Sequence, residues 1–126
     1  MTKLEVRNIT KSFKAVHGRD TISFNAIENI CLSIEEGEFV CFVGPSGCGK
    51  STLLNIIAGL EKPSNGEMIL NGRPVFETGP DRIMVFQENA LFPWLKVIDN
   101  IEFGLKMAGI QKEKRHAIAI QYLDMM

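Results

Sequence analysis

The sequence predicts an α/β fold with a parallel core and an additional antiparallel β layer in front of it. The first observation is that a glycine-rich segment, residues 44–52, separates an apolar, β-rich run from a run with helical spacing. The second is that residues 3–34 alternate apolar and polar side chains, as half-exposed strands do. At 126 residues, the chain is one domain or part of one.

The first 34 residues predict the antiparallel layer. Residues 3–9 alternate apolar and polar side chains, and residues 8–13 continue the strand to Phe13. Residues 14–21 are polar and contain one glycine, which predicts a hairpin loop. Residues 22–34 alternate again and return as a strand or strands.

The core is predicted around the glycine-rich segment. Residues 38–43 follow a turn-like Glu36-Gly37 and are apolar, which suits a buried parallel strand. Residues 51–60 have the spacing of a helix, with Gly59 as a stop signal.

The segment itself reads GPSGCGKST and fits the pattern G-x-x-x-x-G-K-[ST] of a phosphate-binding loop, or Walker A motif. Its glycines permit backbone angles that a Cβ would forbid, so that N–H groups can point at phosphate oxygens. Lys50 is expected near the β- and γ-phosphates, and the Ser51 hydroxyl is expected to ligate Mg²⁺. The predicted phosphate-contacting residues are Gly44, Pro45, Ser46, Gly47, Cys48, Gly49, Lys50, Ser51 and Thr52.

Cys48 has two interpretations. It is either a small filler that contributes only its backbone N–H, or a reactive thiol before a helix N-terminus whose alkylation blocks nucleotide binding. The first interpretation is favoured because the loop works through backbone groups.

The second half of the chain predicts further short elements. Residues 62–66 form a turn, residues 67–72 a strand that ends on Asn-Gly, and residues 78–82 a loop. Residues 83–86 predict a buried strand that ends at Gln87. Residues 97–107 and 112–126 predict two helices.

Composition excludes several classes of protein. The net charge of −1 gives no support for nucleic acid binding, and no apolar run approaches the ~20 residues of a membrane span. The N-terminus has no signal-peptide core. Cys31, Cys41 and Cys48 show no CxxC spacing, which favours a reducing cytosol over a disulfide framework or zinc site.

Three segments resemble the ATP-binding cassette (ABC) family of transporter ATPase subunits. They are residues 35–75 around the phosphate loop, residues 79–105 with the Q-loop glutamine at Gln87, and residues 8–13. The chain looks like the N-terminal half of such a subunit, and its GPDR, VFQE and LFPW elements resemble importers of nitrate, sulfonate and taurine. The resemblance implies a P-loop NTPase core, ATP and Mg²⁺.

The resemblance also implies roles for individual residues. Phe13 matches the adenine-stacking aromatic, where the family usually has Tyr or Trp; alternatively it is a core aromatic at a strand end. Gln87 matches the glutamine of the Mg²⁺ or attacking-water shell and, with Lys50, is the expected catalytic contributor; alternatively it is a surface residue.

Residues 89–95, NALFPWL, match the stretch that lies near the membrane-spanning subunit in this family. Leu91, Phe92, Trp94 and Leu95 form either the core of a helical subdomain or a docking patch. The resemblance implies permease subunits and a second ATPase subunit as partners. It also implies a peripheral location on the cytoplasmic face of the membrane.

Several family elements are absent from the sequence. There is no LSGGQ-like signature and no Walker B strand, and His17 and His116 do not match the switch histidine. We therefore expect a truncated subunit with a β layer (1–34), a phosphate-loop core (35–88) and the start of a helical subdomain (87–126). We also expect open apolar faces at Ile118, Tyr122 and Met125, marginal stability, and slow or no ATP hydrolysis.

Two other functions remain open. The chain could be a stand-alone P-loop nucleotide kinase, although its arginines (7, 19, 73, 82 and 115) are scattered rather than gathered in a lid. It could also be a non-catalytic module that only docks on membrane subunits. The transported solute is not encoded in this type of subunit.

Overall fold

The computed structural model describes residues 2–18, 20–88 and 90–125, in two compact units that divide between Met84 and Val85. The first unit contains four strands and one helix, and the second contains two helices. Met1, Arg19, Asn89 and Met126, which belong to segments predicted above, lie outside the described residues.

The predicted antiparallel layer is confirmed as a long hairpin. Strand β1 (Thr2–His17) pairs antiparallel with β2 (Asp20–Glu35) along their whole length. The predicted loop at residues 14–21 is wrong, because strand pairing continues through Lys14 opposite Ser23 as far as His17 opposite Asp20. Backbone N–H and C=O groups pair whatever the polarity of the side chains, so a polar run can still be a strand.

Two short strands extend the sheet on the other side of β1. Strand β3 (Asn65–Leu70) pairs antiparallel with β1, and β4 (Arg73–Pro74) pairs with β3, which gives the order β2-β1-β3-β4. The turn between β3 and β4 is Asn71-Gly72, with both φ angles positive, as the Asn-Gly hairpin signal predicted.

Helix α1 (Lys50–Ala58) closes one face of this sheet. Its buried Leu53 and Ile56 join a cluster of sheet residues that forms the core of the first unit. The sheet residues of this cluster are Leu4, Val6, Ile9, Ile27, Met68 and Leu70. Burying such side chains stabilises a fold by roughly 1.5–3 kcal/mol each, so this face holds α1 in place.

The end of α1 is fixed by two features. Gly59 takes a left-handed conformation, and its N–H and that of Leu60 satisfy carbonyls of the last turn. The Arg82 guanidinium donates to the Ile57 carbonyl oxygen at 2.9 Å and also to the Glu77 carbonyl oxygen. The segment before Met84 is thereby held against the C-terminus of α1.

The two predicted core strands are not strands in this structure, and both predictions are corrected. Residues 38–43 and 83–86 have no regular structure, and Val43 and Ile83 are each 93% exposed. A strand exists through hydrogen bonds to a neighbouring backbone, and the described residues provide no strand that pairs with either segment.

The second unit contains the two predicted helices, α2 (Val97–Met107) and α3 (Lys112–Asp124). Glu102 of α2 is only 8% exposed and accepts hydrogen bonds from Arg115 Nε and His116 Nδ1 of α3, both at 2.8 Å. Tyr122 and Met125 are exposed, as expected for open apolar positions, whereas Ile118 is half-buried. None of the described helices is long and apolar enough to cross a membrane.

We predict that the second unit loses stability in acid through Glu102. The hydrogen bond from Arg115, and then the one from His116, lowers the pKa of Glu102 below its usual 4.5. A carboxylate with a lowered pKa contributes stability above its unfolded pKa and loses it as pH falls through the folded pKa. Urea unfolding followed through Trp94, the single tryptophan, should therefore show a falling midpoint below about pH 5.

The Glu102→Gln variant should be less stable at pH 7 and should show a flatter dependence on pH. Glu113→Gln, which changes an exposed acid on the same helix pair, is the matched control and should keep the wild-type slope. An unchanged slope in Glu102→Gln would contradict the assignment.

Candidate functional site

The phosphate loop of the first unit has the backbone shape that its glycines predicted, with one correction. Gly47 and Gly49 have φ angles of 79° and 91°, in the left-handed region that favours glycine. Gly44 does not have a positive φ; a Cβ there would instead lie 2.8 Å from the Cys48 sulfur. A Cβ at position 44 would therefore require the Cys48 side chain to move, whereas Gly47 and Gly49 are glycines because of their backbone angles.

Gly49 presses the end of the loop against strand β2. A Cβ on Gly49 would lie 2.3 Å from the Ile27 Cγ2 atom and 2.6 Å from the Ala26 carbonyl oxygen. Both distances are well below van der Waals contact, so any larger residue would push the loop away from the sheet. The start of α1 is thus placed directly on β2.

The Lys50 side chain folds back across the loop. Its ammonium donates to the carbonyl oxygens of Gly44 and Pro45, at 2.7 and 2.6 Å, and lies 3.4 Å from the Cys48 sulfur. The two carbonyl oxygens accept hydrogen bonds from the Lys50 ammonium, which would bind anionic phosphate oxygens more strongly. The Lys50 ammonium therefore lies at the mouth of the loop and gives it a positive charge.

The first turn of α1 supplies further donors. The first hydrogen bond of the helix runs from the Leu53 N–H to the Gly49 carbonyl oxygen at 2.9 Å. The N–H groups of Lys50, Ser51 and Thr52 are consequently not used by the helix itself, and the positive end of its dipole lies there. Ser51 is exposed, and Ser46, Gly47 and Cys48 are exposed on the loop.

Phe13 lies on β1 directly opposite Phe24 of β2. It is half-buried, and the centroids of the two rings are 5.9 Å apart. The Lys11 ammonium sits 5.1 Å from the centroid of the Phe13 ring and also donates to Glu61 and to the Lys62 carbonyl. Sequence reasoning missed Phe24 and Lys11 because the misplaced hairpin loop hid the pairing between the strands.

Gln87 and the predicted docking patch belong to the second unit. Gln87 is exposed in a segment without regular structure. The Phe92 ring packs against the Phe103 ring, with centroids 4.5 Å apart and ring planes tilted by 47°. The backbone of Phe92 is hydrogen-bonded to the Asn100 side chain. Leu91 and Trp94 are 70% and 76% exposed. Phe92 of this segment is therefore packed against the helix, whereas Leu91 and Trp94 lie on the surface.

Three of the described arginines have local partners within their own units. Arg7 pairs with Glu5 and Glu67, Arg82 holds the end of α1, and Arg115 pairs with Glu102. Among the described residues, no group of three or more His, Cys, Asp or Glu side chains could hold a metal ion.

Comparison with known proteins agrees with the loop and the fold. A family model described as "ABC transporter" matches residues 27–126. The chain is 46% identical over 123 residues to the nitrate import ATP-binding protein NrtD of Synechocystis sp., and 41% identical over 126 residues to the taurine import ATP-binding protein TauB of Burkholderia pseudomallei. These matches cover 98% and 100% of the chain but 45% and 47% of the relatives, so the chain spans under half of their length.

A solved structure gives the same result. The chain superimposes with a TM-score of 0.78 and 35% identity on the ATP-binding cassette MJ0796, a dimer in a post-hydrolysis state bound to ADP and Pi. The match covers 97% of this chain and 56% of that one. The predicted α/β, P-loop NTPase fold class is confirmed by this likeness.

We predict that alkylation of Cys48 blocks phosphate binding although the sulfur itself is not needed. The thiol lies over Gly44 and beside Lys50, so an added group would fill the mouth of the loop. Treatment with iodoacetamide should abolish binding of inorganic triphosphate, measured by calorimetry. Cys48→Ser should bind normally and resist the reagent, whereas equal inhibition of that variant would place the effect on Cys31 or Cys41, which are also exposed.

Proposed function

The chain belongs to the ABC transporter family, and we propose that it binds ATP as the ATP-binding component of an importer of small solutes such as nitrate, sulfonate or taurine. The observation that carries this proposal is the phosphate loop, with Lys50 folded over the carbonyls of Gly44 and Pro45 at the start of α1. The relatives' names support the import of nitrate and taurine.

ATP binding would exchange the contacts of Lys50. The ammonium would leave the two carbonyl oxygens for phosphate oxygens, because an anionic acceptor attracts the cation more strongly than a neutral carbonyl oxygen does. The N–H groups of residues 46–52 would then surround the phosphates, and the helix dipole would favour the same negative charge. This arrangement would bind and orient a nucleotide by its phosphates at the N-terminus of α1.

The base of the nucleotide would stack at Phe13. Gly49 abuts Ala26 and Ile27, and Ile27 is paired with Lys11, two residues before Phe13. Two residues of a strand span about 7 Å, a spacing that supports Phe13 as the base-stacking residue next to the phosphate loop. Phe13 provides the π face that stacking needs, where the family resemblance implies Tyr or Trp.

Mg²⁺ fits the oxygen ligands that this chain would provide. The exposed Ser51 hydroxyl stands at the first turn of α1, and Gln87 has an amide oxygen. Mg²⁺ commonly takes only one or two protein ligands and completes its shell with phosphates and water. When bound with ATP, the ion would neutralise phosphate charge, and the Ser51 hydroxyl would be its protein ligand in the first unit; Gln87 is a further ligand only by the family resemblance.

The whole importer would require partners. We propose a second ATPase subunit, which the dimeric structure of MJ0796 supports, and permease subunits in the membrane, with the chain at the cytoplasmic face.

Within the chain, residues 1–34 would form the β layer, residues 35–88 the nucleotide core, and residues 87–126 the permease-facing part. Hydrolysis would involve an acidic pair and a signature motif, which the given 126 residues do not contain.

Contact with a permease is assigned to the segment around Trp94. The Trp94 ring packs on Phe92 with centroids 5.5 Å apart, yet 76% of the residue is exposed. A rigid, exposed aromatic of this kind is typical of an interface hot spot. Phe92, fixed by Phe103 and Asn100, would be the support on which Trp94 is presented.

Lys50→Ala should weaken binding of Mg-ATP to the purified chain by about 10- to 100-fold, because a charged hydrogen-bonding partner of the phosphates is lost. Isothermal titration calorimetry is the direct measurement. Lys114→Ala removes the same charge from an exposed position on α3 and should leave affinity unchanged. Equal ATP affinity in wild type and Lys50→Ala would rule out the phosphate loop as the binding site.

Trp94→Ala should weaken co-purification with a co-expressed permease subunit while ATP affinity stays within about twofold of wild type, since hot-spot truncation acts on the interface alone. Val97→Ala, which shortens another exposed apolar residue in the same unit, is the control for general loss of apolar surface. If the Trp94→Ala variant co-purifies with the permease subunit as well as the wild type does, Trp94 is not a docking residue.

A further inference from the structure

Phe24 is an exposed aromatic residue in the middle of a regular strand. It stands on β2 opposite Phe13, with ring centroids 5.9 Å apart and ring planes tilted by 33°. It is 53% exposed, although a large apolar side chain on a long strand is ordinarily turned into a core. Its neighbours along the strand, Ser23 and Asn25, are polar.

The other ring of the pair is already engaged. The Lys11 ammonium lies 5.1 Å from the centroid of Phe13 and is itself fixed by Glu61 and by the Lys62 carbonyl oxygen. The Lys11 side chain is only 13% exposed. A cation over an aromatic face is an attractive contact, so Lys11 holds the Phe13 ring in place beside Phe24.

The backbone under the pair is held in one register. Ser12 donates its hydroxyl to the Asn25 amide oxygen at 2.7 Å, and the Ser12 N–H donates to the Ser64 hydroxyl oxygen at 3.0 Å. The two strands are also paired on both sides of the rings. The rings are therefore presented by a rigid support rather than by a mobile loop.

The pair lies next to the phosphate loop along β2. A Cβ on Gly49 would lie 2.6 Å from the Ala26 carbonyl oxygen, and Ala26 is two residues from Phe24, or about 7 Å along the strand. A nucleotide held by its phosphates at the loop would thus have an exposed aromatic ring within reach of its base.

We propose that Phe24 is a second base-stacking residue, and that Phe13 and Phe24 together form a two-ring platform for the purine of ATP. This inference rests on the proposed function, because it requires the phosphates of the same nucleotide to sit in the loop. Phe24 supplies the open aromatic face, while Phe13 and Lys11 fix its position. Binding of the base would cover the exposed surface of Phe24.

The test compares ATP with inorganic triphosphate, which lacks the base, at equal Mg²⁺ concentration. Phe24→Ala should weaken ATP binding about tenfold, as loss of one stacked aromatic does, and leave triphosphate binding unchanged. Phe76→Ala removes another exposed phenylalanine of the first unit and should change neither affinity. ATP affinity that is unaltered in Phe24→Ala, or affinities for both ligands that fall together with a native circular dichroism spectrum, would overturn the proposal.

A second variant keeps the proposal testable if Phe24→Ala does not fold. Phe24→Trp combined with Trp94→Phe carries a single tryptophan at the platform. ATP should change its fluorescence, because the base covers the ring, and triphosphate should not. ATP binding detected by calorimetry without any change in this fluorescence would contradict stacking on position 24.

The two levels of proposal fail in different ways. A wild-type chain that binds neither ligand would reject the phosphate-loop function and the platform with it. A wild-type chain that binds triphosphate and ATP equally well would leave phosphate binding by the loop standing and would reject base stacking at both Phe13 and Phe24.

Discussion

The contact of Gly49 with strand β2 is the constraint on which the rest of the first unit depends. The loop end lies so close to Ala26 and Ile27 that a single methyl group at Gly49 would overlap both. This contact fixes the start of α1 on the sheet, and the burial of Leu53 and Ile56 holds the helix there. The same contact sets the distance between the phosphate loop and the Phe13–Phe24 pair, because the loop rests on β2 and Phe24 is part of β2.

The sequence predicts correctly those elements whose structure depends on a few neighbouring residues. The phosphate loop, the helices and the Asn71-Gly72 turn follow from glycine positions and apolar spacing within short windows. The hairpin was predicted, but its turn was placed too broadly at residues 14–21. Had the turn been placed next to Gly18, the register would have put Phe13 opposite Phe24, and the platform would have been visible in the sequence.

Features that depend on distant residues could not be predicted in this way. Residues 38–43 and 83–86 have the composition of buried strands, yet Val43 and Ile83 are almost fully exposed, because composition does not supply a neighbouring strand. The contacts of Lys50 with carbonyl oxygens of its own loop, and of Arg82 with the end of α1, likewise depend on the folded geometry. The docking interpretation of residues 89–95 stayed open in the sequence. Among the described residues of this segment, Phe92 is packed and Trp94 is exposed.

We infer that the loop at the start of α1 binds phosphate while it remains in contact with β2. Backbone amide spectra of the ¹⁵N-labelled chain, recorded during titration with inorganic triphosphate, test this binding mode. We expect the largest shifts at residues 46–52 and smaller ones at Ala26 and Ile27, with the helical signals of residues 97–124 unchanged. Shifts concentrated outside the loop, or none at saturating triphosphate, would contradict it.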